Sequence, residues 1–213
     1  MMKPKSSSYR PKSSSVPFKA RPEILTHPNI PQPLHGMAPR VIKGRAWWDK
    51  TRKAAYEKHQ YRCWACGKSS VTPEMWNSRA LEAHENYKID YAKGEMVVTE
   101  ITALCSCCHS FIHSGRLDAL LVEGKIEPAK AIYILERGFK LLKAAGLKPF
   151  YGTAMIYAEH FAKGFMDSAL RLQEDQGVGE IQQDWSEWHL ILDGEKHYSK
   201  FKNFKEWKDH YDK

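Results

Sequence analysis

No cysteine occurs before residue 63 or after residue 108. No stretch approaches 18 consecutive apolar residues, so no membrane-spanning helix and no membrane partner are expected. The opening MMKPKSSSYRPKSSS has no apolar core of a secretory signal, and the chain reads as cytoplasmic. The glycine patterns that cradle nucleotide phosphates are missing, as is the GxSxG elbow, so nucleotide-driven and α/β-hydrolase chemistry have no support. Acids are nearly absent from the front. Residues 1–53 hold twelve Lys or Arg against Glu23 and Asp49, a net of +10, whereas 54–213 hold 21 basic and 23 acidic residues. All the excess positive charge therefore lies at one end, which suits a polyanion such as nucleic acid; a solvated tail without a partner is the plainer reading.

What is present begins with proline. Eight of the eleven prolines lie between Pro4 and Pro39, among Ser and Lys. Repeated proline removes backbone donors and fixes φ, so residues 1–38 are expected to form a basic, disordered arm. The stretch AWWDKTRKAAYEK (46–58) is rich in helix formers and leads straight into YRCWACG. LEAHENYKIDY (81–91) alternates, with Glu82, His84 and Asn86 on one side and Leu81, Ala83, Glu85, Tyr87 and Ile89 on the other. A turn at Lys93-Gly94-Glu95 and the β-rich MVVTEITALC (96–105) complete a two-stranded unit, and CHSFIHSGRLDALL after it reads as helix. Pro128 opens a further helix that Gly146 stops. Residues 150–173 carry one long helical pattern, WHLILDGEKHYSKF (188–201) a hairpin around Asp193-Gly194, and FKEWKDHYDK a short terminal helix. The fold class expected is α+β, divided into the arm (1–38), a metal-stapled β-β-α domain with its leading helix (39–120) and a helix and hairpin extension (121–213).

Chemistry concentrates between residues 63 and 113. Cys63-x-x-Cys66 and Cys105-x-x-Cys108 are two knuckles, each able to give two thiolates to a tetrahedral structural Zn²⁺. In a cytoplasmic chain, clustered cysteines point to metal before disulfides. Cys107 breaks the spacing and reads as a spare thiol, although Cys105-x-Cys107 is a tighter alternative knuckle. His109 and His113 stand four residues apart, on one face of a helix, and His84 lies mid-strand between the knuckles. If the hairpin folds beside the helix, these three meet at a second site. Trp47, Trp48, Trp64 and Trp76 flank the region and are expected to pack on the zinc core in preference to stacking on bases. Trp185, Trp188 and Trp207 are expected in the core of the extension. Arg116 can reach a phosphate or remain a solvated helix-end cation.

The segments CWACG, LEAHENYKID and ITALCSCCHSFIHSGRL resemble the HNH (ββα-metal) nucleases over 61–117. PRVIKGRAWWDKTRKAAYEKHQYRCWACG and WHLILDGEKHYSKFKNFKEW look like a bacterial and phage group of HNH-like proteins, over most of 39–213. The resemblance implies phosphodiester hydrolysis on DNA in a bacterial or phage-infected cytoplasm, with Mg²⁺ or another divalent ion at the catalytic site. It also implies roles. In that family an adjacent pair on the first strand supplies a metal ligand followed by the general base. If the pair is Ala83-His84, His84 is the base; if it is His84-Glu85, His84 is a ligand and Glu85 the base. His109 and His113 correspond to the metal-side histidines, and with His84 they resemble the three-histidine arrangement of colicin-type nucleases. The candidate catalytic residues are thus His84, Glu85 and His109, and the candidate catalytic-metal ligands His84, His109 and His113. The family's middle Asn falls on Glu100, a departure that leaves open a second function: a degenerate module that binds nucleic acid or protein without cutting.

Overall fold

The computed structural model describes residues 18–69, 81–176 and 183–211. Expectations for positions 1–17, for Trp76 and its loop, and for most of the 175–184 connection lie outside the described residues.

Each element follows from local chemistry. The short α1 (Pro39–Ile42) starts on a proline, whose missing N–H costs nothing in a first helical turn. Helix α2 (Gly44–Lys58) covers the predicted helix-former stretch and buries Ala55. Strands β1 (Leu81–Asp90) and β2 (Glu95–Cys105) form the expected hairpin, in antiparallel register from Leu81 opposite Cys105 to Asp90 opposite Glu95. A bulge between Asn86 and Tyr87 breaks the alternation, and both of these neighbours are buried as a result. The turn uses Gly94 at φ +62°, where an added Cβ would press on the Trp188 ring at 3.3 Å.

After β2 the chain enters α3 (Ser106–Ile112), bends at His113, and continues as α4 (Ser114–Val122). The single helix expected here is therefore two, because His113 has a non-helical ψ of 50°. Helix α5 (Pro128–Ala144) matches its predicted limits. The long helical pattern at 150–173 also divides, into α6 (Tyr151–His160) and α7 (Met166–Gln176), with a 3₁₀ turn over Lys163–Phe165. Strands β3 (His189–Leu192) and β4 (Glu195–Tyr198) form the hairpin, and α8 (Phe204–Tyr211) closes the described chain. The sheet runs β1-β2-β3-β4, with β3 parallel to β2 and the other pairs antiparallel. The described residues are thus a mixed α+β structure. None of its helices is long and apolar enough to cross a membrane.

Two apolar clusters hold these layers. One joins Leu104, Phe111, Ile112 and Leu117 to Leu135 and Leu142 of α5, and so crosses the boundary drawn at residue 120. The other surrounds the fully buried Trp188 with Tyr87, Met96 and Leu190. Trp185 and Trp207, expected beside it in the core, are half-buried. Residues 18–38 correct the expected arm. Ile24 and Leu25 are buried against the first cluster, Leu34 and Met37 in the second, and two 3₁₀ turns, Pro22–Thr26 and Gln32–Leu34, begin at or beside prolines. Proline did exclude long regular elements, but four apolar side chains were enough to bind the segment to the body.

Candidate metal centres

The knuckle forms where α2 ends. Gln60 and Tyr61 adopt φ of 54° and 53°. This is the left-handed region that costs ordinary residues energy, and it turns the chain back on itself. The Cys63 N–H then donates to Lys68 O at 2.8 Å and the Gly67 N–H to Cys63 O at 2.7 Å, with Gly67 at φ +75°. This tight turn aims Cys63 and Cys66 at the junction of β2 and α3, where Cys105 and Cys108 arrive. The four sulfurs lie within 4.8 Å of one another, with Cys63, Cys105 and Cys108 buried and Cys66 half-buried. Cys107 stands outside the tetrad, so the second knuckle is Cys105-x-x-Cys108 as the spacing indicated.

The geometry fits zinc. Cys66 Sγ and Cys105 Sγ are 3.9 Å apart. Zn–S bonds of about 2.3 Å in a tetrahedron place sulfurs about 3.8 Å apart, whereas a disulfide needs about 2.0 Å. The four thiols cannot all ionise without a compensating charge: their mutual contacts hold Cys63 and Cys66 down and push Cys105 and Cys108 up. A divalent cation among them removes that conflict. Arg137 of α5 adds positive charge from outside, its Nη2 3.5 Å from Cys66 Sγ.

The second centre lies further along the same helix. Strand alternation points Glu82 and His84 toward α3. The His113 N–H still donates to His109 O at 3.1 Å, so the i, i+4 spacing survives the bend. Ligand atoms of His84, His109 and His113 lie within 4.8 Å of one another. His84 Nδ1 and His113 Nε2 face each other at 3.2 Å. Two nitrogens bound at about 2.0–2.1 Å to one tetrahedral Zn²⁺ stand close to that separation. Two ring nitrogens so near each other require a shared proton or a cation between them. Burial, then the neighbouring imidazoles, holds His84 well below the usual histidine range and His113 at about 4. Both rings are therefore neutral and offer lone pairs at neutral pH.

Two residues complete this site that motif spacing did not reveal. Glu82 Oε2 accepts from His109 Nδ1 at 2.6 Å, a bond that keeps the carboxyl ionised. It also leaves His109 Nε2 for the shared centre. His27 packs edge-on against His84 at 5.5 Å between ring centroids, but its nitrogens contact the Pro28 and Tyr87 backbone, so it walls the site without joining it. Alternation could have flagged Glu82, two residues before His84. Nothing in a proline-rich lead segment marks His27.

The other candidates divide. Arg116 lines a cavity of about 340 Å³ with Glu82, His109 and His113, and Lys125 and Lys130 lie on the same wall. Glu85 does not join the histidine cluster among the described residues; burial raises its carboxyl, and Arg40 and His109 act on it only through their charge. Glu100, at the position of the expected Asn, pairs with Arg21 at 2.9 Å and Lys58 at 2.6 Å, and so ties the lead segment and α2 to β2. Trp64 packs against the cysteine-bearing core, its ring centroid 3.5 Å from that of His59, as expected of a structural tryptophan. No family model, curated protein or solved structure matches the chain.

Proposed function

We propose that the protein is a metal-dependent nuclease of the HNH type that hydrolyses DNA phosphodiester bonds. The observation that carries this reading is the convergence of His84, His109 and His113 within 4.8 Å, beside a cysteine tetrad on the same strand-strand-helix unit. The tetrad would hold a structural Zn²⁺ and the histidines a catalytic Mg²⁺ or other divalent ion. A cation held there stabilises charge on the phosphate and on the leaving oxygen.

The protein's own groups supply the rest. Glu82 keeps the proton on His109 Nδ1 and fixes that ring's orientation. Arg116 offers a cation to a phosphate beside the scissile one. His84 lies among the ligands, which favours the register in which Glu85 holds the general-base position; a carboxyl raised by burial is closer to a base's working range than an exposed one.

A second reading keeps support from two residues. Glu85 stands apart from the histidines, and Glu100 is spent on ion pairs where the resembled family has its Asn. Both fit a module that binds nucleic acid or a protein without cutting. Supercoiled plasmid incubated with the protein in Mg²⁺, Mn²⁺, Ni²⁺ or chelator separates the two. The nuclease reading expects nicking that needs metal and disappears in His84→Ala while folding and binding persist. Absence of nicking with every metal, from folded zinc-loaded protein, supports the binding module.

A further inference from the structure

The cavity at the histidine site is not isolated. It shares His113 and Arg116 with a second cavity of about 500 Å³, which in turn shares Gly36, Met37 and Val41 with a third of about 520 Å³. Together they trace one groove from α4 and α5, past the histidines, to the β3–β4 hairpin. Its cations are spread along the length: Lys125, paired with Glu123 at 2.7 Å, and Lys130 at one end, Arg116 and Arg40 in the middle, Lys196 and Lys200 at the far end. The one carboxylate among its described lining residues, Glu82, is engaged by His109. Arg40 and Arg116 are exposed, have no carboxylate within 4.0 Å among the described residues, and both act on His113 through their charge. Aromatic rings lie beside the cations in two of the three cavities. His35 and Tyr211 line the middle cavity and Tyr198 the last, with Tyr198 55% and Tyr211 47% exposed.

From this we infer that the groove binds single-stranded nucleic acid, its backbone tracked by the arginines and lysines and its bases stacked on Tyr211 and Tyr198. The inference deepens the nuclease reading by naming the substrate's form, and it rests on that reading for the place of cleavage. A duplex keeps its base faces covered, so rings along a basic groove gain nothing from it. An unpaired strand presents both a charged edge and free π-faces. Arg40 and Arg116 are free to pair with phosphates because no acid among the described residues holds them, unlike Arg21, Arg52 or Lys43.

The test measures binding of the zinc-loaded full chain, without added divalent metal, to labelled oligodeoxythymidylate, to an abasic strand of equal length, and to a duplex. Fluorescence anisotropy reports affinity and a gel confirms intact strands. The thymidylate strand should bind more tightly than the duplex and than the abasic strand. Tyr211→Ala should weaken thymidylate binding about tenfold, leave abasic binding unchanged, and be rescued by Tyr211→Phe. Arg40→Ala and Arg116→Ala should each lower the salt slope by about 0.7. Equal or tighter duplex binding, or a Tyr211→Ala loss that is the same for abasic and thymidylate strands, overturns the inference. Plasmid nicking by His84-intact protein with such a result leaves the nuclease reading standing. Preference for the single strand without cleavage in any metal leaves the groove standing and removes the nuclease.

Discussion

Glu82 stands two residues before His84 and meets a different histidine, and that single hydrogen bond fixes how the His109 ring faces the other two imidazoles. Carboxylates behind metal-bound histidines commonly govern affinity by about 10–100-fold. Glu82→Gln is therefore expected to weaken the histidine site by about that factor in a metal titration, while zinc at the cysteine tetrad is retained. His59 gives a separate test, in pH. It is fully buried, receives the Ala103 N–H on Nδ1 at 3.0 Å, and burial depresses it to about 4. A depressed histidine contributes stability that is fully present above its unfolded value of about 6.5 and is lost as pH falls toward the folded value, because only the unfolded chain takes up the proton. Urea unfolding should show stability falling from about pH 6.5 to about pH 4, and His59→Gln should remove on the order of 2 kcal/mol of that dependence. An unchanged slope would mean that His59 is protonated in the folded state. At this scale the sequence was partly legible. The cysteines and the His109/His113 pair announced themselves by spacing, and His84 by its place on an alternating strand. Glu82 shared that alternation, but a carboxylate on a strand usually signifies a solvated face. Glu85 was flagged by adjacency to His84, and it lies outside the cluster of ligand atoms while still feeling the charge of His109.

Among the elements, α5 makes the clearest prediction. Gly138 lies inside this helix. Alanine would ordinarily be favoured at such a position by about 1 kcal/mol. Here a Cβ would fall 2.1 Å from Cδ2 of Phe111, whose ring is fully buried. Gly138→Ala should therefore destabilise the protein by about 2–3 kcal/mol in chemical denaturation, and Phe111→Leu should recover part of the loss. A neutral Gly138→Ala would show that α3 and α5 do not pack this closely. Helix α5 itself was plain in the sequence from Pro128 and Gly146, and the β1–β2 hairpin from its alternation and turn. The breaks at His113 and between α6 and α7 were not, since the apolar pattern runs through them and packing decides where the chain bends. The parallel pairing of β3 with β2 was equally hidden. It joins His189 to Glu95 across nearly half the chain, and no local signal reports a partner at that distance.

For the whole molecule, the cysteine tetrad binds α2's exit, the end of β2 and the start of α3 into one point, with Arg137 reaching it from α5. Metal binding there is folding energy for everything attached. Cys63→Ser or Cys108→Ser should abolish zinc retention and the cooperative thermal transition together; full zinc content with native stability would refute the assignment. The net charge at the front of the chain suggested a free arm, yet residues 18–38 bury Ile24, Leu25, Leu34 and Met37 in the core and wall the histidine site with His27. Composition registers charge and proline well but cannot weigh a few apolar residues that find a core. The most direct measurement is metal analysis with X-ray absorption on zinc-saturated protein and on His84→Ala. The two clusters should take up two ions per wild-type chain. One would be ligated by sulfur at about 2.3 Å and one by nitrogen at about 2.0–2.1 Å, with only the nitrogen-bound ion lost in the variant. A metal content and ligand set unchanged by His84→Ala would contradict the histidine centre, and with it the nuclease built upon it.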